Sequence, residues 1–203
     1  QVYWPVRGGA TFSPLRNGGD GAMRIPQPTE IARDVIMHEY GHFIADLMNF
    51  AQLDVGNGCH AGGDLRAGPC PLPDGTIGFI RRTDAQAMSL AFGEAWPTVF
   101  SIGSQLGDFW YPGSGDSFYD DLSFSADLEI FTDAHDQTPG QFYEEQTMGL
   151  LWDIFDNSNN RVDNTDTVSD VSPKFEKIWR VTAIHRPDNI QDFWNGWVEE
   201  WGD

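Results

Sequence analysis

Two histidines four residues apart, His38 and His42, enclose a glutamate in the segment Val35-Ile36-Met37-His38-Glu39-Tyr40-Gly41-His42-Phe43-Ile44-Ala45. On an α-helix, residues at this spacing lie one turn apart on one face, so both imidazoles can point at one metal ion. Glu39 follows the first histidine, and its carboxylate can reach the ion's open coordination position. Zinc lowers the pKa of a bound water toward about 7. Glu39 would take that proton, the hydroxide would attack a peptide carbonyl, and Glu39 would then protonate the leaving amine. The bland alternative is a solvated helix face; the apolar flanks on both sides oppose it.

A catalytic zinc needs a third protein ligand. One plan extends the motif with Gly three and His six residues after the second histidine, and here those positions are Ala45 and Met48. The other takes a glutamate from a downstream helix. Ser89-Leu-Ala-Phe-Gly-Glu94-Ala-Trp96 offers a lone carboxylate in an apolar stretch. A buried carboxylate is costly without a cation or hydrogen-bond partner, so Glu94 calls for a metal or an arginine. His60 is a rival ligand in a loop; His135 and His185 are less favoured.

These residues need helices to hold them. A helix is expected from Thr29, preceded by Pro28, with Thr29 as N-cap and Glu30 in the positive first turn. Ile31, Val35, His38, His42 and Ala45 keep helical spacing, and no Gly-Pro break comes before Gly56. Gly41 inside this helix weakens it by about 1 kcal/mol relative to Ala, so a packing reason is expected. A long loop over 56–80 follows. A second helix is expected over 84–105, where Pro97 makes either one kinked helix or two helices meeting near Gly93. A third is expected over 141–155, with Glu144 and Glu145 in its first turn. A fourth opens with Ser172 as N-cap and Pro173 at its first position and ends before Pro187. A fifth runs from near Asp188 to the C-terminus. Residues 1–28 are rich in Gly and Pro, with short extended pieces at Val2–Val6 and Ala22–Pro26. The class is α+β, mostly helical, with little sheet.

Composition bounds the rest. The chain has 203 residues, which suits one domain or two lobes sharing a cleft. Its formal net charge of -19, from 31 acidic against 12 basic residues, argues against nucleic acid and anionic membrane surfaces as partners. No apolar run approaches the roughly 18 residues of a membrane span. Eight tryptophans imply a core of large rings or, as the sharper alternative, a surface for sugars or aromatic side chains. Cys59 and Cys70 flank ten residues of a loop. A disulfide is the preferred pairing, with free thiols the alternative, and it would imply an oxidising compartment. The start at Gln1 without Met suggests a removed leader or a trimmed chain, and a secreted protein fits both features. Asp156, Asp163 and Asp166 lie in an acidic loop dense in oxygen ligands, a candidate calcium site or simply a solvated loop. Asp116, Asp120 and Asp121 form a second, sparser cluster.

His38-Glu-Tyr-Gly-His42 followed by Phe-Gly-Glu94-Ala-Trp resembles the gluzincin metallopeptidases, the superfamily of thermolysin. More narrowly it is similar to secreted bacterial or archaeal domains that add Leu150-Leu-Trp-Asp-Ile-Phe155, Lys177-Ile-Trp179 and Ile190-Gln-Asp-Phe-Trp-Asn-Gly-Trp197. The likeness covers nearly the whole chain from Val35. It implies a zincin-like fold of two lobes, about 1–50 with a small sheet and the active-site helix and about 51–203 as a helical C-terminal lobe, in one catalytic domain. It also implies zinc, endopeptidase hydrolysis of a protein or peptide, His38, His42 and Glu94 on the metal, and Glu39 as base. The alternatives are a metal-retaining binding module and a peptidase with a narrow taste for glycopeptides. The family stabilises the oxyanion with a Tyr or His, and Tyr119, Tyr143 and His135 lie in the right region. Two departures stand out. Thermolysin-like enzymes carry an Asp four residues after the ligand Glu, which orients a ligand histidine; here that position is Thr98, so another residue must hold the histidine or its orientation is looser. In addition, 51 residues separate His42 from Glu94, far more than in thermolysin.

Overall fold

A computed structural model describes residues 1–6, 11–14, 19–26, 33–51, 63–71, 76–106, 118–120, 125–127, 140–155 and 174–202. Their helices are α1 (Arg33–Met48), α2 (Asp84–Leu106), α3 (Glu144–Phe155), α4 (Lys174–His185) and α5 (Ile190–Trp201). The strands are β1 (Val2–Val6), β2 (Thr11–Ser13), β3 (Ala22–Pro26), β4 (Ala67–Pro71), β5 (Ile77–Arg81), β6 (Phe118–Asp120) and β7 (Ser125–Asp127). The class is therefore α+β and mostly helical, as the composition and periodicity imply.

The strands form three small sheets. In the first, β3 is central, parallel to β1 and antiparallel to β2. Phe12 of β2 meets Phe43 of α1 edge to face, with ring centroids 6.0 Å apart, which seats this sheet on the outer side of α1. The other two are the hairpins β4–β5 and β6–β7. The hairpin β4–β5 corrects the expectation of a plain loop over 56–80. Gly68, Pro69 and Pro71 dilute any strand pattern in its first arm. Cys70 in that arm is fully buried and is no free thiol; Cys59 lies outside the described residues.

The core is built by α2. Its Phe92, Ala95, Trp96 and Val99 pack with Ala45 and Phe50 from α1 and its exit, with Met148, Leu151 and Trp152 of α3, and with Ile178, Val181, Phe193 and Trp197 of α4 and α5. Burying each large side chain contributes roughly 1.5–3 kcal/mol. Trp96, Trp152 and Trp197 are at most 2% exposed, and Trp179 and Trp194 lean on the same cluster. Core packing thus accounts for most of the described tryptophans. Trp201 lies outside this core, 38% exposed under Lys177 and Arg180. A second cluster joins Ala87, Leu90 and Ala91 of α2 to Leu65, Phe142 and Tyr143. Leu65 is held there by its amide, which donates to the Phe142 carbonyl at 3.0 Å.

Helix boundaries follow local chemistry. α2 is one continuous helix despite Pro97. α3 begins after a 3-10 turn at Gly140–Phe142, with Glu144 and Glu145 in its first turn as expected. α5 starts two residues later than the expected Asp188, because Asn189 is the N-cap: its side chain accepts from the Asp192 amide at 3.0 Å. Gly202 ends α5 in the left-handed conformation at φ 74°, and its amide donates to the Val198 carbonyl. The proposed caps Thr29 and Ser172 lie outside the described residues.

Candidate metal centre

α1 and α2 run antiparallel, and three contacts set their register. The Ser101 hydroxyl of α2 donates to the Asp34 carbonyl at 2.8 Å. Thr98 Oγ1 meets His38 Nδ1 at 2.9 Å. Glu94 meets both His38 and His42. Positions 94, 98 and 101 recur at four and three residues, one stripe of α2, and they face positions 42, 38 and 34 of α1.

Gly41 allows this approach. A Cβ at Gly41 would stand 2.9 Å from both Cα and Cβ of Pro97 and 3.2 Å from Phe100 Cδ1. Only hydrogen fits between α1 and the Pro97 backbone, which is the packing reason expected for a glycine mid-helix. Pro97 also lacks an amide hydrogen for the Gly93 carbonyl, a local weakness the surrounding core tolerates. The neighbours of this contact, Glu94 and Thr98 on one side and His38 and His42 on the other, are thereby brought together.

The ligand atoms converge. His38 Nε2 and His42 Nε2 are 3.0 Å apart, and Glu94 Oε2 lies 3.3 Å from the first and 3.1 Å from the second. The two imidazoles stand nearly perpendicular, at 81°. Tetrahedral zinc with bonds of about 2.0–2.1 Å holds its ligand atoms roughly 3.3–3.4 Å apart. The observed triangle is within a few tenths of an ångström of that spacing, so two imidazole nitrogens and one carboxylate oxygen fit a single cation. Among the described residues this is the one group of three or more His, Cys, Asp or Glu side chains close enough to hold a metal ion. All three are buried, with Glu94 only 4% exposed. A carboxylate so enclosed gains from a cation between it and the histidines.

Glu39 is also buried, at 7% exposure, one residue past His38 on α1. Thr98 supplies what its residue type left in doubt. Its hydroxyl reaches the far ring nitrogen of His38, so the histidine is held without an aspartate at that position. The expectation that a residue other than Thr98 holds this histidine, or that its orientation is looser, is thereby corrected.

The other named residues fall elsewhere. Tyr143 lies between the 3-10 turn and α3, buried in the second cluster, where its carbonyl accepts from the Thr147 amide. Tyr119 pairs with Ala126 in the hairpin β6–β7, which also contains Asp120. His185 closes α4 and faces Glu200 of α5 at 3.3 Å, so it serves the α4–α5 pair and not the metal group. His60, His135, Asp116, Asp121, Asp156, Asp163 and Asp166 lie outside the described residues. No helix among the described residues is long and apolar enough to cross a membrane. No family model, curated protein or solved structure matches the chain.

Proposed function

We propose that this chain is a zinc-dependent endopeptidase of the gluzincin kind, with a zincin-like catalytic domain. The observation that carries this reading is the buried triangle of His38, His42 and Glu94 beside Glu39. Two neutral nitrogens and one carboxylate oxygen suit zinc, and three protein ligands leave a position open for chemistry. His38, His42 and Glu94 would hold the zinc, which when bound would supply polarisation of a water and of the scissile carbonyl. The chain's own residues do the rest. Glu39 accepts a proton from the attacking water and delivers it to the amide nitrogen as the C–N bond breaks. His38 and His42 are kept in place by the register of α1 on α2. The substrate is a protein or peptide, and secretion with a Cys59–Cys70 disulfide belongs to the same proposal. A non-catalytic binding module drew its support from the tryptophan count, which core packing largely explains.

Zinc analysis paired with casein cleavage, on wild type and Glu39→Ala, tests this. One zinc per chain with cleavage lost in the variant is the expected result. Zinc without cleavage of casein or a mixed peptide library would leave a binder or a narrow glycopeptidase, and absence of zinc would refute the proposal.

A further inference from the structure

We propose that Thr98 is a positioning residue that fixes the tautomer of His38 before any metal arrives, doing with a neutral hydroxyl what a carboxylate would do with charge. A threonine hydroxyl has one hydrogen to give and lone pairs to accept with. Thr98 Oγ1 has two neighbours. It lies 3.1 Å from the Glu94 carbonyl oxygen, one turn back on α2, and 2.9 Å from His38 Nδ1. A carbonyl oxygen can only accept, and we assign the hydroxyl hydrogen to it. That leaves a lone pair toward the imidazole, and Nδ1 must then carry the hydrogen. In a neutral imidazole the other nitrogen is bare. That nitrogen, Nε2, is the one facing His42 Nε2 and Glu94 Oε2.

Two features make the device rigid. Thr98 is 2% exposed, so water has little access to replace its hydroxyl. In a helix, threonine has few χ1 choices, one of them set by the bond from Oγ1 to the carbonyl four residues back. The hydroxyl is therefore aimed by the same turn of α2 that presents Glu94. One helical turn supplies an anionic ligand from its first residue and the support of a neighbouring ligand from its last. The charge of His38, Glu94 and the support of His38 stays at that of one carboxylate, because the Thr98 hydroxyl adds none.

This inference rests on the proposed metal site only in naming zinc; the tautomer is a property of the metal-free chain. Long-range nitrogen–proton correlation spectra of metal-free wild type, at about pH 8 where histidine is ordinarily neutral, are expected to place the His38 hydrogen on Nδ1. Thr98→Val, which keeps the shape and loses the acceptor, is expected to abolish that preference and weaken zinc binding about 10–100-fold in a chelator competition. Thr98→Ser is expected to retain both. A hydrogen on Nε2 of wild-type His38 overturns the proposal, as does a folded Thr98→Val with wild-type zinc affinity. Should Thr98→Val not fold, the wild-type and Thr98→Ser spectra decide. If wild type binds no zinc, the metallopeptidase assignment fails while the tautomer still tests Thr98.

Discussion

Adding one methyl group at Gly41 should both loosen the protein and weaken metal binding at the proposed site. In an unobstructed helix, Gly→Ala stabilises by about 1 kcal/mol. Here the new Cβ meets Pro97 Cα and Cβ at 2.9 Å, closer than carbon atoms ordinarily approach, with Phe100 Cδ1 at 3.2 Å. Phe100 can rotate away, but Pro97 Cα is backbone and can yield only if α2 moves. Relieving the contact to ordinary packing distance of about 3.5–4.0 Å requires α1 and α2 to separate by at least roughly half an ångström. Overpacking of this sort costs about 1–3 kcal/mol, and the rigid backbone partner argues for the upper part of that range. After the helix-propensity gain, Gly41→Ala should be net destabilising by about 1–2 kcal/mol. The same separation draws His38 and His42 away from Glu94, whose present spacing of 3.1–3.3 Å already suits one cation. Urea unfolding of the metal-free protein and zinc affinity by competition measure the two effects. A variant stabilised by the ordinary helical increment, with unchanged zinc affinity, would refute the claim that this contact sets the site.

Glu94→Gln separates a metal ligand from a structural ion pair. As a ligand, Glu94 predicts a loss of zinc affinity beyond the 10–100-fold typical of supporting residues, with no loss of metal-free stability because a buried charge is removed; unchanged zinc binding with a lower urea midpoint would indicate the ion pair instead. Between α4 and α5, the Arg180 guanidinium holds the Glu200 carboxyl below its ordinary range, outweighing the opposing effect of burial, with a lesser contribution from His185. A depressed carboxylate contributes stability above its unfolded pKa of about 4.3 and loses it as pH falls through the folded value. Wild type should therefore lose urea resistance in acid more steeply than Glu200→Gln, and parallel profiles would remove Glu200 from the α4–α5 contact.

The legible part of the site was the part set by a single helix. His38, Glu39 and His42 read directly because helical periodicity alone decides which side chains share a face. Glu94 could be picked out as a lone carboxylate among apolar residues, yet its distance from His42 depends on how α1 and α2 cross. That crossing rests on Gly41 against Pro97, a contact between two residues each of which looks like a local fault. The expectation of an undivided or broken second helix was open for the same reason, since the core around Trp96 decides whether Pro97 is tolerated. The pairing of β4 with β5 is not legible locally, because three of the five residues of β4 are Gly or Pro. An oxyanion-stabilising group has no fixed spacing to a helix motif, so no local pattern separates Tyr119, Tyr143 and His135.

The register of α1 on α2 explains why side chains able to hold a metal ion meet within so few turns. Ser101 ties α2 to the first turn of α1 through the Asp34 carbonyl, Pro97 against Gly41 sets the separation, and Thr98 and Glu94 then meet His38 and His42 without further adjustment. None of these contacts requires the first sheet or the hairpins. The aromatic core, from Phe50 on Trp96 at 4.7 Å to Trp96 on Phe100 at 5.3 Å, holds other positions of α2 and resists its displacement. Ligand spacing is thereby coupled to core packing: a change that shifts α2 by half an ångström reaches the metal group even when it touches none of its residues. Loss of metal affinity on repacking that core, without change at positions 38, 42, 94 or 98, is the behaviour this coupling entails.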